Sequence, residues 1–281
     1  MSSQVSLVLG LWNWTSPAWI VAGVAAFLYL RSHRGRMSGS RPLLFAASVT
    51  AFLLATVSPL ARLSNGYLFS VHMVHHILLL LVAPALLLMS LDPEVVTSAL
   101  KKSPFLSKAS ALFGKPLLGW AMGIGAMGFW HLPSLCSASQ EIGAVSQIQT
   151  ASLLLMGAAF WWPVIAPVSE QRLHPLQGVG YLFSSCVACT LIGIYLTFSP
   201  VSVCPSFAHG MDPLGLRSWI QGDLGLTPQH DQQIGGLLMW VPSCLIYMSG
   251  VFVLFYRWYA RPDSTLANEG AATAVSKSSH A

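Results

Sequence analysis

Of the 281 residues, 54% are hydrophobic and only 8% charged, whereas soluble domains carry about a quarter charged residues. That balance excludes an ordinary soluble domain and predicts an integral, multi-pass membrane protein built as an all-α helix bundle. The formal net charge of +5 is accounted for by membrane topology and the lipid bilayer's headgroups, so no nucleic-acid partner is required.

Seven apolar stretches, near 17–31, 42–61, 67–91, 116–133, 145–166, 176–199 and 234–257, approach the roughly 20 residues that span a bilayer as a helix. The first is short unless it starts near Leu9. It is expected to remain in place, because the thirty N-terminal residues hold no Lys or Arg to form the positive region of a signal peptide. Residues 1–261 therefore read as one transmembrane domain. The end after Arg261, rich in Ala, Ser and Thr without apolar period, reads as a disordered cytoplasmic tail over 262–281. Loops of one parity carry Arg31, Arg34, Arg36, Arg41, Lys101, Lys102, Lys108, Lys115, Arg172, Arg257, Arg261 and Lys277; the other parity carries Arg62 and Arg217. Basic residues are retained on the cytoplasmic side, which predicts the N-terminus outside and the C-terminus inside.

The third stretch opens with HMVHH. Ionisable groups are expensive inside a membrane and face a bundle interior, where they bind something or relay protons. On a helix His72, His75 and His76 fall within an arc of roughly 100°, so one face offers a metal or haem site. With the predicted orientation His72 lies about 8 Å and His76 about 14 Å below a start at Tyr67, at 1.5 Å per residue. The inner loop from Asp92 to Lys115 has the pattern of an amphipathic surface helix. The fourth stretch ends in FWHLP, which brings His131 to the same outer level, and the loop before the seventh adds His209, His230 and Asp231. His33, His174 and His280 fall on the inner side as ordinary loop and tail residues.

Soft ligands stand nearby: Met73 beside His72, Met127 one turn before His131, and Met239 after Asp231. Imidazole with thioether favours Cu(I) over calcium or magnesium, although for Met127 and Met239 taken singly core packing is the plainer reading. FWWPVIAP, 160–167, reads as an interfacial aromatic belt. Cys186 and Cys189, at i and i+3, and Cys244 read as small buried hydrophobes, with a Cu(I) or redox relay as the minority reading. Cys136 and Cys204 fall in outer loops, where a disulfide is permitted but not required. In DQQIGGLLMW, 231–240, Asp231 and Gln232 are placed to orient imidazoles from outside the ligand shell, and Gly235 and Gly236 let a helix or cofactor approach closely. Pro84 and Pro242 predict kinks.

HMVHH with its leucine-rich continuation, FWHLP, FWWPVIAP, YLTFSP and DQQIGGLLMW, in that order, resemble the CtaG-type cytochrome c oxidase assembly factors, seven-helix proteins of bacterial inner membranes. The resemblance runs from about residue 42 to residue 257. It implies a role in maturing a haem-copper oxidase by handling copper for its metal centres, with oxidase subunits as partners. It falls on His72, Met73, His76, His131, Asp231, Gln232, Gly235, Gly236 and Met239. Members of that family often carry further histidines entering the fifth helix, where this sequence has Gln147, Gln149 and Thr150. This implies a reduced site, or compensation by His75 and His209.

The expected function is therefore a non-enzymatic copper chaperone at the outer leaflet, as a monomer or homo-oligomer. Two alternatives stand beside it. One is a b-type haem electron carrier or haem-modifying enzyme with facing histidines as axial ligands. The other is a copper permease, which would need ligands through the whole membrane depth.

Overall fold

The computed structural model describes residues 11–36, 39–210, 212 and 215–260. Every one of the seven apolar stretches is helical, and proline sets where most helices begin. Pro59, Pro93, Pro104, Pro116, Pro133, Pro175, Pro205 and Pro228 each occupy the first helical position, where the missing N–H would have no partner in any case. In chain order the helices are α1 (Ala18–Ser32), α2 (Arg41–Thr56), α3 (Pro59–Leu63), α4 (Phe69–Ile77), α5 (Ala83–Ser90), α6 (Pro93–Lys102) and α7 (Pro104–Phe113). They continue as α8 (Pro116–Trp130), α9 (Pro133–Glu141), α10 (Gly143–Ile165), α11 (Pro175–Phe198), α12 (Pro205–His209) and α13 (Pro228–Tyr259).

Among the described residues, five segments are long and apolar enough to cross a bilayer: Arg41–Leu63, Phe69–Ser90, Gly143–Ile165, Pro175–Phe198 and Pro228–Tyr259. Helices α1 and α8 have 15 residues each, about 22 Å at 1.5 Å per residue, against a hydrocarbon core of about 30 Å. The seven expected spans thus resolve into five of full length and two shorter apolar helices. Outward-facing side chains such as Leu43, Leu117, Phe183, Leu245 and Phe252 are largely exposed, a surface suited to lipid tails and not to water.

Phe69–Ser90 is the most enclosed of the five, and it is not a uniform helix. Between α4 and α5 the chain makes a π-helical turn, Leu78–Val82. Pro84 supplies the reason: it lacks an N–H, and in a regular α-helix its ring would press on the carbonyl of Leu80. The wider turn absorbs the kink expected at Pro84. A Cβ on Gly157 of α10 would lie 2.2 Å from that Leu80 carbonyl oxygen, so only glycine lets the two backbones meet there. Helix α13 runs along α11 and crosses α4.

The bundle is pinned differently at its two ends. At one, Asp92 caps α6 by accepting from the backbone N–H of Glu94 (2.9 Å) and Val95 (3.4 Å), and it pairs with Arg41 and, at 4.0 Å, with Arg36. The Asp92 backbone N–H donates to His33 Nε2 (3.0 Å), while His33 Nδ1 lies 3.0 Å from the Tyr29 carbonyl. His33, expected as an ordinary loop residue, is buried and ties α1 to the α5–α6 junction. The single amphipathic helix expected between Asp92 and Lys115 is two, α6 and α7, with Ser103 capping the second through the Leu106 N–H (3.3 Å). At the other end a Cys136–Cys204 disulfide joins residues 68 apart in sequence, linking α9 to the residue before α12. The tail predicted over 262–281, and His280 with it, lies outside the described residues.

Candidate metal centre

Helix α4 carries the three histidines, and its start has no cap of its own, since Leu68 stands at that position. The cap comes from another helix. Asp231, buried in the first turn of α13, accepts from the backbone N–H of Phe69 (2.5 Å) and of Ser70 (3.1 Å), satisfying two of the unpaired donors at the helix N-terminus. One turn further, Gly235 leaves room for the Phe69 ring, which a Cβ would meet at 2.5 Å. Gly236 does the same for Thr197, at 2.3 Å. Gln232 accepts from the Val203 N–H (2.9 Å) and donates to the carbonyls of Leu196, Ser199 and Val201 (3.3, 3.4 and 3.2 Å), holding the segment that carries Cys204. Asp231 thus places the backbone that bears the imidazoles, where the sequence reading had Asp231 and Gln232 orient the rings; Gln232 holds the segment from Leu196 to Val203 instead, and Gly235 and Gly236 allow the close approach expected of them.

His72, His75 and His76 are all buried, and one ring nitrogen from each lies within 4.8 Å of the others. The His72 and His76 rings are 4.4 Å apart between centroids, and His75 lies 5.9 Å from each. His131 follows α8 as its C-terminal cap and joins the group with its ring 5.1 Å from that of His76. Its Nδ1 is hydrogen-bonded to the Met127 carbonyl. A carbonyl only accepts, so Nδ1 carries the proton and Nε2 holds a lone pair. That lone pair faces the Met73 sulfur at 3.3 Å. A thioether has no proton to give, so two soft donors point at one another. His72 Nε2, His75 Nδ1 and both nitrogens of His76 are buried without a hydrogen-bond partner.

A cavity of about 340 Å³ opens beside His72 and His75. Gln140, Gln147, Gln149 and Thr150 line it, and among the described residues Arg62 is its one charged lining residue. The glutamines and threonine that stand where the resemblance leads one to expect histidines thus do face the site. Gln149 is buried with its Nε2 unpartnered, and Gln140 Nε2 lies 3.4 Å from His72 Nδ1. The Phe207 ring lies tilted 5.4 Å from that of His72 and edge-on 5.5 Å from that of Phe69.

Other expected members stand apart. Met127 contributes its carbonyl. Met239 is buried in the core, its carbonyl 3.5 Å from the Cys189 thiol. His230 is exposed at the start of α13, and the side chain of His209 lies outside those described. Gln140 and Phe207 were not singled out from sequence; each sits on a short helix with no pattern that marks it. The assembled donors are imidazoles and a thioether with no carboxylate among them, a set poorly suited to hard cations and well suited to soft ones.

Residues 22–261 match the family described as cytochrome c oxidase caa3 assembly factor. Among curated proteins and among solved structures, nothing matches the chain. A match over most of the chain shows that it belongs to that family.

Proposed function

We propose that this cytochrome c oxidase assembly factor holds Cu(I) transiently between His131, Met73 and the His72, His75, His76 trio, and passes it to a metal-accepting subunit of a haem-copper oxidase. The observation that carries the reading is the approach of His131 Nε2 to the Met73 sulfur at 3.3 Å, beside three imidazoles that each keep at least one buried ring nitrogen without a hydrogen-bond partner. Imidazole and thioether ligation suits Cu(I). A chaperone needs an exchangeable site, and the adjoining cavity gives the ion a way in and out.

The close packing favours an ion over a porphyrin. The facing rings of His76 and His131, 5.1 Å apart between centroids, leave no gap for a macrocycle between them. Ligation confined to one end of the bundle also disfavours a permease: the His trio is the one group of three or more His, Cys, Asp or Glu ligands among the described residues. We assign that end to the outer leaflet of a bacterial inner membrane, where the Cys136–Cys204 disulfide would persist while the basic loops stay inside. Handing over an ion makes no covalent bond, so the role is binding and not catalysis.

The test is anaerobic Cu(I) loading of the purified protein, with elemental analysis and an optical spectrum, beside a His72→Ala, His76→Ala double variant. About one copper per chain, lost in the variant, is expected. Copper retained by the variant, or a haem Soret band in the protein as isolated, would overturn the reading.

A further inference from the structure

Away from the histidines, at the middle of the membrane, two thiols from different helices meet. Cys186 lies halfway along the 24-residue α11 and Cys244 halfway along the 32-residue α13. Their sulfurs are 2.6 Å apart, well inside van der Waals contact and nearer the ~2.05 Å of an S–S bond than any separation that unbonded thiols keep. Thr190 Oγ1 lies 3.4 Å from Cys244. Cys189, the i+3 partner that the CxxC spacing singles out, instead turns its thiol to the Met239 carbonyl.

This geometry does not suit a metal. An ion 2.3 Å from both sulfurs would see them at about 70°, far below the tetrahedral angle. No third His, Cys, Asp or Glu ligand among the described residues joins the pair. Both cysteines are half-buried, and the exposed Phe183, Val187, Val241 and Leu245 beside them mark a face open to lipid tails. A reagent reaching the pair must therefore be lipid-soluble.

We propose that Cys186 and Cys244 form a reversible thiol–disulfide couple at mid-bilayer, oxidised by a lipid-soluble carrier of the quinone class. Two S–H bonds break and one S–S bond forms. The two electrons and two protons reduce the quinone's carbonyl oxygens to the hydroxyls of a hydroquinone. Closing the bond clamps α11 to α13, the helix whose first turn caps α4. The couple does not depend on the proposed copper site.

The test uses the full chain in lipid nanodiscs, exposed to a short-tailed, fully ring-substituted quinone that thiols cannot alkylate. The protein is then denatured, and its free thiols are tagged with a maleimide and mapped by peptide. Tagged thiols are expected to fall from three to one, Cys189, with a linked Cys186–Cys244 peptide; a dithiol reductant should restore tagging of both. Cys186→Ser and Cys244→Ser should each keep two tagged thiols throughout, while Cys189→Ser falls to none. Three tagged thiols after quinone, or a link between Cys186 and Cys189, would overturn the proposal.

Discussion

The proton on His131 decides what its ring can do. Because Nδ1 is committed to the Met127 carbonyl, the ring presents Nε2 to Met73 in a fixed tautomer. Met73 is then the residue whose chemistry is most separable from its packing. It is fully buried in the core beside Phe69 and Met127, and leucine replaces its volume while removing the sulfur. Met73→Leu should therefore change stability by less than about 1.5 kcal/mol. Under the proposed function it should weaken Cu(I) binding on the order of tenfold to a hundredfold. Competition with a chromogenic Cu(I) chelator measures the second quantity and thermal unfolding in detergent the first. Unchanged affinity would remove the thioether from the ligand set.

The segment DQQIGG acts through helix placement, and this sets what its variants should do. Asp231 supplies α4 with the cap that Leu68 cannot. Asp231→Ala should cost about 2 kcal/mol, the upper end for a lost helix cap, and should lower copper binding with it, because the histidines begin one turn from the freed N–H groups. Asp231→Asn keeps one acceptor and should fall between the two in both readouts. Normal copper binding in a destabilised Asp231→Ala protein would show that the cap serves the fold alone. The same distinction explains what could be read in advance. Seven apolar stretches, the histidine face and the level of His131 follow from periodicity and loop charge, which are local. The trans cap, the Gly157 approach to Leu80 and the pairing of Cys186 with Cys244 depend on which helices are neighbours, and a bilayer leaves that open. Cys186 and Cys189 looked like the pair because they share a helix; the thiol that meets Cys186 is 58 residues away.

The molecule as a whole is held by unlike chemistry at its two ends, a covalent bridge beside the histidines and an ionic knot opposite. The knot gathers α1, α2, α5 and α6 onto Asp92. Burial pushes the Asp92 carboxyl up, but the N–H groups of Glu94 and Val95 and the Arg41 guanidinium outweigh it and hold the group below the usual carboxylate range. The folded protein thus binds the Asp92 proton less tightly than the unfolded chain, whose value is about 3.9. The stability it contributes is complete above that unfolded value and is lost as pH falls through the lower folded one. Asp92→Asn should accordingly unfold at a lower temperature than the parent near pH 7, with the gap closing as pH drops below about 4. Thermal unfolding across that range reads the difference directly. A gap that stayed constant down to about pH 3 would mean that folding does not favour the charged carboxylate, so that neither the α6 N–H groups nor the arginines around it stabilise the Asp92 charge, and the arginines answer to lipid headgroups instead.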